Sequence, residues 1–340
     1  MRRPNRFLFK VSLPLAVLLL LGGREPFYTL KLDVISSGYD GEKVWFHPRA
    51  GIVSKEEPQI VLTLQKWWVE RSDVFFALSQ MISSDLGGHW SAPAEQTATL
   101  GRHTVGNGLE IGISDFTPKW HAKTGKLLGT GHTVRYQDNT LIKGAPRSTA
   151  WSVFNETNQS WSAWDTLKLP NLPMFYSEGA GSTQRVDLPN GDILLPTYFM
   201  KKGDSLYSAT VLRCRFDGKH LEYVEHGDML KQSTGRGFPE PSLTCFKDRF
   251  YLTLRNDDSA YVASSTDFTS PSRKSGGLMM GSHWKVTTPS SIGLPTATGY
   301  TSYIRGGEQI TTTLHATGHR CLWHKLVRKN WWYCAEPNRF

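Results

Sequence analysis

Two arginines and two carboxylates stand out by residue type and setting. Arg49 lies in FHPRAGI (46–52), and Arg255 ends the run FYLTLR (250–255). A guanidinium is a planar fork of N–H donors that matches a carboxylate two bonds at a time, so arginines sharing a pocket suit an acidic ligand. Asp73, in RSDVFFAL (71–78), and Glu240, in GFPEPSL (237–243), adjoin apolar runs, and Glu240 precedes Arg255 by 15 residues. A placed carboxyl group can move a proton to or from a reacting oxygen. Plainer uses are a loop aspartate bonding its own turn and a structural ion pair. His132 in GHTVRY, Trp120 and His121 in FTPKWH, and Gln184 and Arg185 in QRVDLPNGDILLPTYF lie near the ends of strand-like segments. Each also has an ordinary use as a satisfied structural residue. No pair among Cys214, Cys245, Cys321 and Cys334 has metal-ligand spacing, so a zinc site is not expected. Cys214 and Cys245 read as buried thiols.

The elements that must hold these residues read as short strands: QIVLTLQKWWV, LEIGISDF, HTVRYQDNTLI, DILLPTYFM, YSATVLRCRFDGKHLEYVEHG and DRFYLTLRND. Turn signals lie between them, at Thr124-Gly125, Pro189-Asn190-Gly191-Asp192 and Asp217-Gly218. No long, capped helical period appears between residues 40 and 280. With 31 Gly, 18 Pro, 12 Trp and 12 Tyr, the composition favours strands and turns, which predicts an all-β sandwich, barrel or propeller. SSDLGGHW (83–90) narrows the choice. In a turn, Asp85 can accept from backbone N–H groups and from the Ser83 hydroxyl, Gly87 supplies positive φ, and Trp90 packs back beneath.

That S-x-D-x-G-x-x-W pattern resembles the Asp-box of the sialidase-like (BNR-repeat) six-bladed β-propellers, where it is structural and lies away from the active face. NETNQSW (155–161) and Ser265-Thr266-Asp267-Phe268 are looser copies. FHPRAGI, RSDVFFAL, GHTVRY, the run 184–199 and GFPEPSL…FYLTLRND extend the resemblance over about residues 39–270. It implies an exo-α-sialidase type of glycoside hydrolase. Arg49, in place of the family's R-I-P-like arginine, and Arg255 would hold the substrate carboxylate. Asp73 would be the acid/base, and Glu240 the base to a tyrosine nucleophile. His132, Gln184 and Arg185 would line the substrate site, and Tyr176 would stack on a sugar ring. Such chemistry needs neither metal nor organic cofactor. The family also uses a third arginine and a tyrosine from its last blades; Arg305 and Arg320 are poor substitutes for that arginine.

The ends of the chain read differently. MRRPNRFLFK carries four basic side chains ahead of the apolar VSLPLAVLLLLGG, so residues 1–26 are expected to be a signal peptide or an N-terminal anchor. This predicts a secreted or periplasmic protein, touching membrane only through an uncleaved anchor. Residues 36–275 are expected to form the propeller, and 276–340 an aberrant tail. Read one base out of frame, with free choice of synonymous codons, residues 286–340 permit a strand-like alternation, so a frameshift at about 275–286 is expected. The blades would then be incomplete, each blade taking about 40–50 residues. A net charge of +9 accompanies no nucleic-acid-binding motif, so the expected partner is a glycan, with the chain a monomer. Two other readings stay open: a non-catalytic carbohydrate-binding propeller, and a non-functional truncated product.

Overall fold

The computed structural model describes residues 28–71 and 73–266, together with the backbone of strands at 285–287, 299–305, 308–317 and 320–328. The leader 1–26, Asp267, Phe268, Cys334 and most of 267–298 lie outside the described residues, as do the side chains of Arg305, Arg320 and Cys321. The described residues form five antiparallel sheets. Blade 1 holds strands Lys43–Val53, Gln59–Trp68, Phe75–Ser83 and Ala94–Glu95. Blade 2 is built on Leu109–His121, Lys126–Gln137, Thr149–Asn155 and Ser160–Trp161. Blade 3 contains Ser177–Gly179 and Val186–Asp187 as its interrupted first strand, then Asp192–Met200, Ser208–Phe216 and Leu221–His226. Blade 4 runs through Ser242–Phe246, Arg249–Leu254, Tyr261–Ser265 and Lys285–Thr287. In the fifth sheet, Gly299–Arg305, Glu308–Thr317 and Arg320–Arg328 adjoin in order, and Arg320–Arg328 pairs with the early strand Tyr28–Ser37. The architecture is an incomplete six-bladed β-propeller, and its backbone continues into the segment whose sequence alternation is poor.

Period-2 geometry explains why the strands read as unbroken apolar runs. Neighbouring side chains on a strand face opposite sides, and in a propeller both sides are covered by other blades. Ile60, Leu62 and Leu64 join one core cluster, whereas Val61 between them joins the cluster shared by blades 1 and 2. Leu127 belongs to that same cluster, and its neighbour Leu128 to the cluster between blades 2 and 3. Ile193 and Leu195 face blade 2, while Leu194 faces blade 4. Cys214 is fully buried in the cluster between blades 2 and 3, whereas Cys245, expected to be buried, is only partly so, at the edge of the cluster between blades 3 and 4.

The third-to-fourth-strand turns repeat a side-chain device. In blade 1, Ser83 Oγ donates to Asp85 Oδ1 (2.9 Å), Gly87 N donates to Ser83 Oγ (2.8 Å), and His89 N donates to Asp85 Oδ1 (2.8 Å). Gly87 takes φ +90°, and Trp90 packs on the blade 1 core. In blade 2, Thr157 N donates to Asn155 Oδ1 (2.9 Å), and Trp161 is buried edge-on against Phe116. In blade 3, Lys219 N and His220 N both donate to Asp217 Oδ1 at 2.7 Å. These turns sit opposite the Asp73 turn: strand Phe75–Ser83 separates the two, and nine extended residues span roughly 30 Å.

Candidate active site

The first strands of blades 1 to 4 each break their regular backbone once, at a non-glycine residue with positive φ: His47 (49°), Asp115 (54°), Ser182 (56°) and Glu240 (51°). His47 lies in the bulge between Phe46 and Arg49, and Asp115 in the bulge between Ser114 and Thr117. Ser182 interrupts the blade 3 strand, and Glu240 lies two residues before Ser242–Phe246. Left-handed conformation is costly for residues with a Cβ, and such strain concentrates where surrounding structure holds a functional group in place.

Asp115 is the hub. Its Oδ1 accepts from Ser182 Oγ at 2.6 Å and lies 3.1 Å from His47 Nε2 and 3.9 Å from Arg49 Nη2; its Oδ2 lies 3.7 Å from His132 Nε2. Burial alone would raise its pKa, but His47, His132, Arg49 and the Ser182 hydrogen bond hold it far below the usual carboxylate range. With Asp115 ionised, the His47 proton belongs on Nε2. Arg49 is 5% exposed. Its own contacts are long, to Pro48 O (3.2 Å) and Ser182 Oγ (3.4 Å), so the fork keeps donor capacity for an anion.

His132 is buried between blades 2 and 3. Its Nε2 accepts from Arg147 Nη1 (2.6 Å), which fixes the proton on Nδ1, 3.1 Å from the Tyr198 hydroxyl. Arg147 Nη1 also donates to Tyr198 Oη at 2.9 Å. Burial, then the Arg147 charge, push His132 down to about 3, so the ring is neutral at pH 7. Burial pushes Tyr198 up, and the charges of Asp115 and Glu240 add to that. Only glycine fits beneath the ring: a Cβ on Gly181 would lie 1.7 Å from His132 Nδ1.

Blade 4 brings a carboxylate and an arginine. Glu240 Oε2 accepts from Arg255 Nη1 at 2.6 Å, with both side chains partly exposed. The tripeptide after the strand end pins the loop that carries Glu240. Arg255 pairs with Glu240, Asn256 Nδ2 donates to the carbonyls of Thr234 and Gly237 (both 2.8 Å), and Asp257 pairs with Arg236 (2.9 Å). The Glu240 charge reaches both Arg49 and Tyr198. Asp73 is exposed in the turn between the second and third strands of blade 1, at φ +54°. Its carbonyl accepts from the Tyr136 hydroxyl (3.1 Å), and its charge acts on His47.

The structure thus brings Arg49, Asp73, His132, Glu240 and Arg255 to one end of the ring. Arg185 is used elsewhere: 3% exposed, it pairs with Asp187 (2.9 Å) and donates to the carbonyls of Leu128 and Lys119, both at 2.9 Å. It is a tie between blades 2 and 3. His121 is a second tie, bonding Thr124 (2.8 Å) and the Gly191 carbonyl (2.9 Å). Trp120 packs on the core shared by blades 1 and 2. The Gln184 backbone couples blade 3 to blade 4, donating to Ser242 Oγ and accepting from Leu243 N. Tyr176 is 41% exposed, just after the 3-10 turn Pro173–Phe175. Sequence reasoning missed His47, Asp115, Arg147, Ser182 and Tyr198. The available signal was polar residues inside apolar strands, as Asp115 in LEIGISDF and His47-Pro48 in VWFHPRAGI.

No protein-family model and no curated protein matches this chain. Solved structures do. Trypanosoma rangeli sialidase in complex with sialic acid is similar at 15% identity and a TM-score of 0.53, covering 87% of this chain and 51% of that one. The NanB sialidase from Streptococcus pneumoniae is similar at 10% identity and a TM-score of 0.50, covering 83% of this chain and 58% of that one. A leech intramolecular trans-sialidase complexed with 2,7-anhydro-Neu5Ac has 13% identity and a TM-score of 0.50, covering 88% and 64%. The chain spans about half the length of the first of these relatives, 48% in another Trypanosoma rangeli sialidase structure. At these identities the likeness is one of fold, and that fold is the sialidase β-propeller.

Proposed function

We propose that this site is that of a sialidase-type glycoside hydrolase, acting on a terminal sialic acid or a related acidic sugar. What supports the reading is the Glu240–Arg255 ion pair of blade 4, with the Glu240 charge acting on Arg49 of blade 1. Arg49 and Arg255 receive the sugar carboxylate, each through charge-assisted hydrogen bonds. Asp73, on the exposed rim, protonates the departing glycosidic oxygen, and Glu240 serves as base to a tyrosine, the arrangement by which sialidases depart from the two-carboxylate scheme. No metal or organic cofactor takes part. The basic, apolar leader sends the protein to the periplasm or outside, as a monomer.

One observation favours a second reading, a propeller that binds the sugar without cleaving it. Tyr198, whose hydroxyl lies against His132 and Arg147, is buried and raised in pKa. A phenol so placed is a weak nucleophile. Binding and turnover of 3′-sialyllactose decide. The hydrolase reading expects turnover that is abolished in Asp73→Ala and Glu240→Ala while binding persists. Binding without turnover establishes the second reading, and absence of both overturns each. Arg49→Lys keeps the charge but loses the fork, and is expected to weaken binding by about 10- to 100-fold.

A further inference from the structure

A shallow cleft, open to solvent, lies between blades 2 and 3 beside the buried centre, and Arg147 lines both. Arg135, Lys143, Thr133, Met200 and Tyr207 complete its working surface. Among the described residues, no carboxylate lies within 4 Å of Arg135, Lys143 or Arg147, although most other arginines of blades 1 to 4 have one. Arg147 hydrogen-bonds two neutral groups, the His132 ring and the Tyr198 hydroxyl, and the Asp115 charge acts on it from beyond salt-bridge distance. Arg135 Nε donates to the Pro146 carbonyl (3.1 Å), which aims the guanidinium and commits one donor. Lys143 is exposed on the connection that follows. A half-buried guanidinium that hydrogen-bonds only neutral groups keeps donors for an anion with two or three oxygens.

We propose that this cleft is a second anion subsite. It takes a carboxylate or sulfate on the sugar next to the one held by Arg49 and Arg255. The proposal rests on the glycan-binding reading above for the identity of the neighbouring sugar. The charge pattern of the cleft stands independently of it. Arg147 contacts the cleft ligand on one side and the His132–Tyr198 pair on the other, so it is the residue through which the two subsites communicate.

Titration calorimetry of the full chain compares three ligands: 3′-sialyllactose, its 6′-sulfated form, and α2,8-linked disialyllactose. The proposal expects at least one doubly anionic ligand to bind tenfold or more tighter than 3′-sialyllactose. Lys143→Glu should erase that gain and leave 3′-sialyllactose unchanged, whereas Arg49→Gln should weaken all three. A gain confined to the sulfated or the disialyl ligand identifies the anion. Equal affinities, untouched by Lys143→Glu, overturn the subsite and leave the central site standing. If 3′-sialyllactose does not bind, the glycan reading falls, and galactose 6-sulfate tests the cleft alone. Binding of that sugar lost in Lys143→Glu supports the cleft, and no binding overturns it.

Discussion

Asp115 shows how a buried charge is kept. Ser182, His47, Arg49 and His132, drawn from three blades, surround its carboxylate, and each contact favours the ionised form. The cost appears as pH dependence. Burial holds His132 at about 3, and burial also lowers His47, while both rings titrate near 6.5 when unfolded. Between those values the unfolded chain binds more protons, so stability falls as pH drops from about 6.5 towards 3. Asp115 adds to the loss below its unfolded value, because its folded pKa is depressed. Glu178 works the other way: burial raises its pKa despite hydrogen bonds from Thr149 and Thr197, so its stabilising contribution is lost as pH rises. Denaturant titrations at several pH values should therefore show a shallower acid slope in His132→Gln than in the parent; equal slopes would remove His132 from the account. Gly181→Ala drives a methyl group into the same ring and should cost about 3 kcal/mol, read from the same titrations.

At the scale of elements, blades are held to one another by buried polar ties as well as by apolar faces. Arg185→Ala removes two bonds between blades 2 and 3 and strands Asp187, so it should lower stability by about 3 kcal/mol with the central site intact. A loss of glycan binding at equal stability would instead return Arg185 to the substrate. Its sequence position next to Gln184 looked like a site position, because strand ends carry both site residues and ties. Elements were legible where the signal was local. The apolar runs marked the strands, and SSDLGGHW contained all the partners of its own turn. The blade 3 turn at Asp217 uses the same carboxylate-to-backbone bonds without the serine or tryptophan, so only its turn character showed. Asp115, Arg147 and Tyr198 were illegible for another reason. Their meaning lies in contacts with residues far along the chain, made possible by bulges that alternation alone does not reveal.

For the whole molecule, the strand Tyr28–Ser37 matters out of proportion to its length, since it pairs with Arg320–Arg328 and joins the start of the propeller to its far end. Deleting residues up to Ser37 leaves an unpaired strand edge, and should lower the melting temperature and the soluble monomer yield. An unchanged melt would show that this pairing contributes little. The most direct measurement of the central claim is turnover of 3′-sialyllactose by the full chain, run beside Asp73→Ala and Glu240→Ala with binding followed in parallel. The account predicts release of sialic acid by the parent, none by either variant, and binding retained in all three. Turnover that survives both substitutions, or no binding by the parent, would contradict it.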